Sequence, residues 1–482
     1  MRGTELGSRA AENARARHGC DSGGEQLLYG WGRIAPSRAL VRRPSDVTDI
    51  TGALAAVAPP SDGQAARGVI ARGAGRSYGD AAQNRGGQVL DMTGLAKIVA
   101  IGRDGSTVTV QAGISLAALM SRLAGEELTL PVLPGTRHVT VGGAIASDIH
   151  GKSHHCDGSF SGHVRSILLC APGGELLEIS PDSERELFEA TLGGMGLTGV
   201  IVQATLAVEP LRSPWVIADM DRTDDLDQTL ELLSSRETSR WSVAWLDLLG
   251  RGGRMGRGVI SRADPWPASA DSASTDGEER ERRTLALPER PRVTIRGSIP
   301  SGMLRPELVR AFNAARWRRA ARRERGRRLG LAEYLFPLDG IGSWSRLYGR
   351  QGLVQYQFVV PAGREDALVR CVEMLRTRRA PVYLAVLKRF GAFPAGPLSF
   401  PMEGFTLALD LPGGAPGLRG ALDELDEVVA GCGGRVYLTK DVRLRKDVLP
   451  AMYPLLDDFR SVRARVDPDG ILRSDLARRL EL

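Results

Sequence analysis

No stretch of this 482-residue chain approaches 18 consecutive apolar residues, so no transmembrane helix is expected. The first 24 residues lack the apolar core of a signal peptide, with Glu5, Glu12 and Asp21 set among arginines. Residues 1–27 therefore read as a disordered extension, and the expected location is cytoplasmic or peripheral at the membrane. Aromatic residues are scarce, at 5%, and none interleaves with basic residues in the RNA-binding manner, so nucleic acid is not an expected partner. The five cysteines (Cys20, Cys156, Cys170, Cys371, Cys432) are odd in number, far apart and without a C-x-x-C pair. That excludes a disulfide framework and a zinc knuckle, and fits a reducing compartment. Histidine is rarer still, yet five of six (His138, His150, His154, His155, His163) fall close together. They have no helical spacing and no matching carboxylate, so no metal site is expected.

What is present is enough chain for two domains and a sizeable core, with 64 Lys+Arg against 57 Asp+Glu and a net charge of +7. That balance suits an anionic ligand or a membrane surface without demanding either. Ser45 opens a capped helix in which Val47, Ile50 and Leu54 share a face, and a short strand follows over 68–71. Two hairpins are expected, 97–101 with 107–110 and 167–170 with 176–179, with a helix capped by Ser115 between them. A helix over 184–191 and a strand over 200–208 complete this part. Later strands are expected at 353–360, 382–387, 405–410 and 435–438, and a helix at 364–375. Strands and helices mix without regular βαβ alternation, which indicates an α+β fold. Residues 264–292, rich in Pro, Ser, Asp, Glu and Arg, read as a long mobile loop. The arginines from Arg316 to Arg328 form either a solvated helix face or a patch that meets anionic lipid or phosphate.

Three glycine-rich segments carry the chemistry. Arg72-Gly73-Ala74-Gly75-Arg76-Ser77-Tyr78 follows a strand with G-x-G spacing, but Gly79, Asp80 and Gln83-Asn84 come next in place of an apolar-faced helix. A Rossmann turn is excluded, leaving either a nest of backbone N–H groups for phosphate or an ordinary turn. Pro134-Gly135-Thr136 runs into Gly142-Gly143, and Gly193-Gly194-Met195-Gly196 runs to Gly199. Small residues near strand ends let backbone lie against a large ligand, and three such segments together can wrap one extended cofactor.

On these segments the chain resembles the vanillyl-alcohol-oxidase type of flavoenzyme, whose FAD-binding domain is of the PCMH type. Many relatives carry, in the first loop, a histidine bonded covalently to flavin; Arg76 stands there, so the resemblance implies non-covalent FAD, with Arg76 available to a phosphate. Gly30-Trp31-Gly32-Arg33, Asp148-Ile149-His150-Gly151-Lys152, Gln355-Tyr356-Gln357-Phe358, Leu398-Ser399-Phe400-Pro401, Lys440-Asp441 and Asp475-Leu476-Ala477-Arg478 narrow it to the decaprenylphosphoryl-β-D-ribose 2-oxidase family. It implies oxidation of a C2 hydroxyl on a polyprenyl-phosphate pentose at the membrane surface, and a separate NADH-dependent keto-reductase partner. A same-fold oxidase of a soluble sugar, alditol, nucleoside or secondary metabolite is the alternative.

The implied arrangement is an FAD-binding domain over 28–212, completed by 435–482, around an antiparallel-sheet substrate domain over 213–434. Alcohol oxidation needs a hydride acceptor, a base and a positive group near the flavin. The resemblance assigns Lys440 to that charge, His150 to a catalytic place beside the flavin, and the base to Tyr78 or Lys388. FAD is expected on Arg72, Gly73, Gly75, Arg76, Ser77, Tyr78, Pro134, Gly135, Thr136, Gly142, Gly143, Ser147, His150, Gly151, Gly199, Val200 and Tyr437. Substrate is expected on Lys152, Gln355, Gln357, Lys388, Thr406 and Lys440. Gln355 and Gln357 alternate with Tyr356 and Phe358 and so share a strand face, as pocket-lining residues do. Two departures from the family stand out: Ala408 where a cysteine is common, and Tyr334-Leu335-Phe336, where an aromatic closer to the pocket is expected. Trp31 and Trp344 are read as core.

Overall fold

The computed structural model describes residues 23–57, 67–235, 239–250, 256–267, 291, 293–297, 304–394 and 396–482. The extension through residue 22 and the expected loop over 268–290 lie outside them. Residues 24–27, expected to be unstructured, belong instead to strand β1 (Gly24–Leu28), paired antiparallel with β2 (Ser37–Arg42). Helix α1 (Val47–Ala55) buries Ile50 and Leu54, and its cap is Asp46 rather than Ser45: Asp46 accepts from Asp49 N, while Ser45 bonds back to Asp49. Strands β3 (Val69–Arg72) and β4 (Gln88–Asp91) finish a four-stranded sheet of order β1-β2-β4-β3, in which β4 runs parallel to both neighbours.

The second sheet holds both expected hairpins. Its strands β5 (Ile98–Ile101), β6 (Thr107–Gln111), β7 (Val164–Cys170), β8 (Leu176–Ile179) and β9 (Val200–Ala207) are all antiparallel, in the order β5-β6-β9-β7-β8. Alternation sends Val108, Val110, Ile167 and Leu169 into the core. Ser115 caps helix α2 (Leu116–Ala124) through Ala118 N, as its spacing predicts. The glycine-rich segment after it contains a short helix, α3 (Val141–Ala146), capped by Thr140.

The third sheet is eight-stranded and antiparallel. Its strands are β10 (Trp215–Thr223), β11 (Trp241–Asp247), β12 (Arg257–Pro265), β13 (Arg323–Gly330), β14 (Leu353–Pro361), β15 (Leu384–Phe390), β16 (Gly404–Pro412) and β17 (Arg435–Val436), ordered β13-β10-β12-β11-β15-β16-β14-β17. Asp264 and Pro265, placed by the sequence in the mobile loop, are in β12. The arginine-rich stretch is neither one helix nor one loop. Helix α4 (Pro306–Arg319) ends at Arg319, Arg322 lies in the connection, and Arg323, Arg325, Arg327 and Arg328 belong to β13, the exposed edge of the sheet. Helices α5 (Glu365–Thr377) and α6 (Leu418–Gly431) cover the opposite end, burying Leu368, Cys371, Leu422 and Leu425. There the Tyr356 hydroxyl donates to Asp426 at 2.9 Å, so Gln355 and Gln357 turn to the other face.

From β17 the chain returns to the first sheet. Val69 N donates to Ile471 O and Arg473 N to Val69 O, each at 2.9 Å. Helix α7 (Asp475–Leu480) brings Arg479 to Asp80 and Asp441, both at 2.9 Å. One guanidinium thus ties the turn after the first glycine-rich loop to the turn that carries Lys440.

Candidate active site

A cavity of about 940 Å³ lies between the N-terminal sheets and the large sheet, with walls drawn from both. Its first wall begins where β3 ends. Trp31 N donates to Ser77 O at 2.7 Å, Gly32 N to Tyr78 O at 3.2 Å and Tyr78 N to Thr439 O at 3.1 Å, so the loop is sewn between two other turns. Among the described residues, the backbone N–H groups of Ala74, Gly75, Arg76 and Ser77 have no protein partner. Consecutive free N–H groups on a curved backbone make a seat for an anion, which fits the pyrophosphate of FAD. Gly75 has φ +63°, and a Cβ there would lie 2.3 Å from Arg72 Nη2. Gly142, Gly143 and Ala146 of α3 continue the wall, while Ala144 and Ile145 face the core. Gly135 faces open space, and a Cβ on it would meet nothing within 4 Å. A wall of small residues ending in unpaired donors suits a long, flat, anionic cofactor.

Gly79 holds this wall together. A Cβ on it would lie 1.6 Å from Asp441 O, so Gly79→Ala must part the FAD loop from the Lys440 turn. The variant is expected to lose about 1–3 kcal/mol of stability, the range of overpacked sites. Denaturant unfolding checks this, and flavin content should fall in parallel.

The structure gathers most, but not all, of the expected cofactor residues in the wall. Gly73, Gly75, Arg76, Ser77, Tyr78, Pro134, Gly135, Thr136, Gly142, Gly143, Ser147, His150, Gly199 and Tyr437 line the cavity. Arg72 does not, because its guanidinium turns inward to Ala82 O at 3.0 Å and Tyr29 O at 2.7 Å and braces the loop from beneath. Gly151 is spent on close packing, since a Cβ would lie 2.3 Å from Leu133 O. Val200 is fully buried among Ile50, Leu54 and Cys170.

The second wall carries the substrate candidates Lys152, Gln355, Gln357, Lys388 and Lys440. Thr406 stands behind them, not in the wall; it accepts from Gln357 Nε2 at 3.1 Å and donates to Phe358 O at 2.9 Å. Three amines in one enclosed space repel charge. Burial lowers Lys388 to about 8; burial and then Lys388 lower Lys152 to about 7. Lys440 is also held at about 7, by burial against the opposing pull of Asp410. Asp410, fully buried behind Gln355, is pushed up to about 6 and accepts from Gln355 Nε2 at 2.6 Å. Sequence reading missed it because a carboxylate inside a hydrophobic strand gives no periodic signal.

His150 and Tyr78 are in the wall but are poorly suited to proton transfer. Gln357 Nε2 lies 3.0 Å from His150 Nε2; an amide nitrogen donates, so that ring nitrogen accepts and the imidazole is neutral. Burial, then Lys388, keeps it neutral far below the usual histidine range. Its ring stands edge-on to Phe390 at 4.7 Å, which makes it a support for Gln357. The Tyr78 phenol is pushed well above its usual range, first by burial and then by Asp410, while Lys440 Nζ sits 4.1 Å from its ring centroid.

Trp31 and Trp344 are not core but cavity wall. The Arg76 guanidinium lies 4.0 Å from the Trp31 ring centroid, and Trp344 stands 6.4 Å from both Trp31 and Tyr78. Sequence reading also missed His138 and Asp339, which line the cavity 3.9 Å apart; Arg137 N donates to Asp339 at 3.0 Å. Tyr334, the aromatic of the second departure, lines the cavity with Lys152 Nζ 4.4 Å from its ring centroid, and Ala408 is in the wall too. Among the described residues no cluster of His, Cys, Asp and Glu side chains has the makings of a metal site.

A family profile described as an FAD binding domain matches residues 39–180. Over 465 residues, 94% of this chain and 97% of the relative, the sequence is 40% identical to decaprenylphosphoryl-β-D-ribose oxidase of Mycolicibacterium smegmatis. The chain belongs to the decaprenylphosphoryl-β-D-ribose oxidase family. A more distant relative, L-gulono-1,4-lactone dehydrogenase of Mycobacterium tuberculosis, is 26% identical over 92% of this chain and 96% of its own. Cytokinin dehydrogenase 8 of Oryza sativa subsp. japonica is 31% identical over 40% of this chain and 38% of its own.

Membership in this oxidase family makes the chain an FAD-dependent oxidoreductase acting on a CH–OH group, with the α+β, PCMH-type architecture described above. With Arg76 stacked on Trp31, acid precipitation is expected to leave the flavin in the supernatant. Flavin retained on the pellet would point to a covalent bond through another wall residue, such as His138.

Proposed function

We propose that this enzyme oxidises the C2 hydroxyl of decaprenylphosphoryl-β-D-ribose to the 2-keto sugar, the first half of epimerisation to the arabinose donor for cell-wall arabinan. The observation that carries the reading is the convergence of Lys152, Lys388 and Lys440 on one cavity in a chain of this family. Burying three amines is costly unless an anion meets them, and a phosphoryl pentose brings one. Bound FAD supplies the hydride acceptor.

The protein's own groups divide the remaining work. Lys388, whose amine burial lowers to about 8, is assigned the hydroxyl proton, while Lys152 and Lys440, lowered further to about 7, are the amines that an arriving anion recharges. Gln357, fixed between His150 and Thr406, presents an amide of set orientation to the sugar. Lys152, whose ammonium donates to Tyr334 O, keeps further charge for the phosphate. Lys440 supplies positive charge beside Tyr78, and an arriving anion raises its pKa from about 7 and so holds it protonated. A separate NADH-dependent reductase completes the inversion, and a polyprenyl tail brings the enzyme to a membrane surface; no helix among the described residues is long and apolar enough to cross one.

The test is anaerobic addition of farnesylphosphoryl-β-D-ribose to the purified holoprotein. The reading expects bleaching of the flavin band near roughly 450 nm, as for any oxidised flavin. A second reading, oxidation of a soluble sugar or lactone, draws on the likeness to L-gulono-1,4-lactone dehydrogenase. It is favoured if the pentose leaves the flavin oxidised and L-gulono-1,4-lactone bleaches it.

A further inference from the structure

The rim of the cavity combines features that the reaction itself does not use. Arg327 and Ile341 are exposed yet belong to the cavity wall, so the cavity reaches the surface between them. Ile341 pairs in register with Val293, which is 59% exposed. Helix α4 adjoins this rim through Arg316, another wall residue, whose guanidinium lies 4.7 Å from the Trp245 ring centroid. On α4, Val309, Asn313 and Trp317 face the protein: Asn313 donates to Asp247 at 3.1 Å and the Trp317 indole to Thr223 O at 2.9 Å. The neighbouring row, about 100° round the helix, leaves Leu308 60% and Phe312 64% exposed, one helical turn apart.

Arginines lie beyond this apolar pair, at the end of α4 and the start of β13. Arg318, Arg319, Arg322 and Arg323 follow, all exposed, and among the described residues none has an ion-pair partner. Two large exposed apolar side chains in the first half of a helix, followed at its end by arginines with no ion-pair partner among the described residues, are unfavourable in water. They match a surface that offers phosphates outside and hydrocarbon just beneath, as an anionic bilayer does.

We propose that the outer face of α4, the start of β13 and the Val293–Ile341 pair dock the enzyme on an anionic phospholipid bilayer with the cavity mouth toward the lipid. This rests on the lipid-linked substrate of the preceding subsection and adds the surface that meets the membrane. A pentose anchored by a polyprenyl tail then enters the cavity from the bilayer while its tail stays in hydrocarbon. Arg316 and Arg327 at the mouth meet the phosphate as it passes.

Co-sedimentation of the holoprotein with phosphatidylcholine vesicles, with and without phosphatidylglycerol, tests the proposal. Binding is expected only with phosphatidylglycerol, and it should weaken as salt rises. The variants Leu308→Asp with Phe312→Asp, and Arg318→Glu with Arg319→Glu, Arg322→Glu and Arg323→Glu, should each cut vesicle binding by about tenfold or more. Both should retain bound flavin, keep turnover of a short-tailed substrate in solution, and lose turnover of a long-tailed substrate in vesicles. Wild-type protein that stays in the supernatant, or variants that bind as well as wild type, would overturn the surface. Binding needs no substrate, so a protein that binds vesicles but oxidises no lipid-linked pentose keeps the surface and loses the substrate reading. Oxidation of the short-tailed pentose without vesicle binding does the reverse.

Discussion

Lys388→Met is expected to lower kcat by about 10²–10⁴-fold, the usual contribution of a positioned general base, while leaving flavin bound. The residue projects from β15 into the cavity, away from the glycine-rich wall, so FAD should not depend on it. Methionine keeps the length and apolar volume of the side chain and removes only the amine. The pH profile separates loss of a base from loss of packing. Burial lowers the Lys388 amine to about 8, so the neutral form that accepts a proton grows as pH rises, and the wild-type rate should climb toward about pH 8 before loss of charge on Lys440 turns it down. The variant should lose that limb, and its residual rate should be flat there. A profile with the same inflection in both proteins would transfer the role to another group.

Lys440→Met should cost about 10²–10³-fold, the scale for removing one preorganised charge from a transition state. It should also act on the cofactor in the absence of any substrate. With its positive charge gone, the reduction potential of the bound flavin is expected to fall, because the reduced form carries more negative charge than the oxidised one. Dye-coupled potentiometry measures this directly, and an unchanged potential would put Lys440 away from the flavin. Asp410→Asn offers a graded comparison. The buried carboxylate favours the charged form of Lys440, so its loss should lower the lysine's pKa further and narrow the pH range of activity from the alkaline side. Gln355 should still find an oxygen to bond.

How far these roles were legible in the sequence depended on the type of signal. The glycine loops stood out because small residues beside strand ends are locally odd, and most of them line the cavity. Helix α3 did not, since Val141 to Ala146 contains a Gly-Gly pair that propensity alone argues against; the Thr140 cap and packing on β9 override it. Strands β10 to β12 were not expected either. Arg257 and Arg262 are buried in them, paired with Asp247 at 2.8 Å and Asp221 at 2.9 Å, and inward charges break the alternation that marks a strand. Helix α6 was hidden by its start, a Gly417 with φ +70° and no side-chain cap. Trp31 and Trp344 were indistinguishable from core, because an aromatic residue in a cavity wall and one in a packed interior look alike until their neighbours are known.

Arg479, which joins Asp80 to Asp441 from the last helix, also bears on when the pocket can exist during synthesis. All three glycine-rich segments leave the ribosome long before the Lys440 turn and α7, and Ile471 and Arg473 must still bond to Val69. The glycine-rich wall is thus joined to residues about 400 positions later, across an intervening sheet, a high contact-order arrangement that folds slowly. FAD should meet a finished seat only once the chain through Leu480 has emerged. A premature stop shortly before Ser474 should therefore release a chain that keeps nearly every wall residue and still fails to hold flavin.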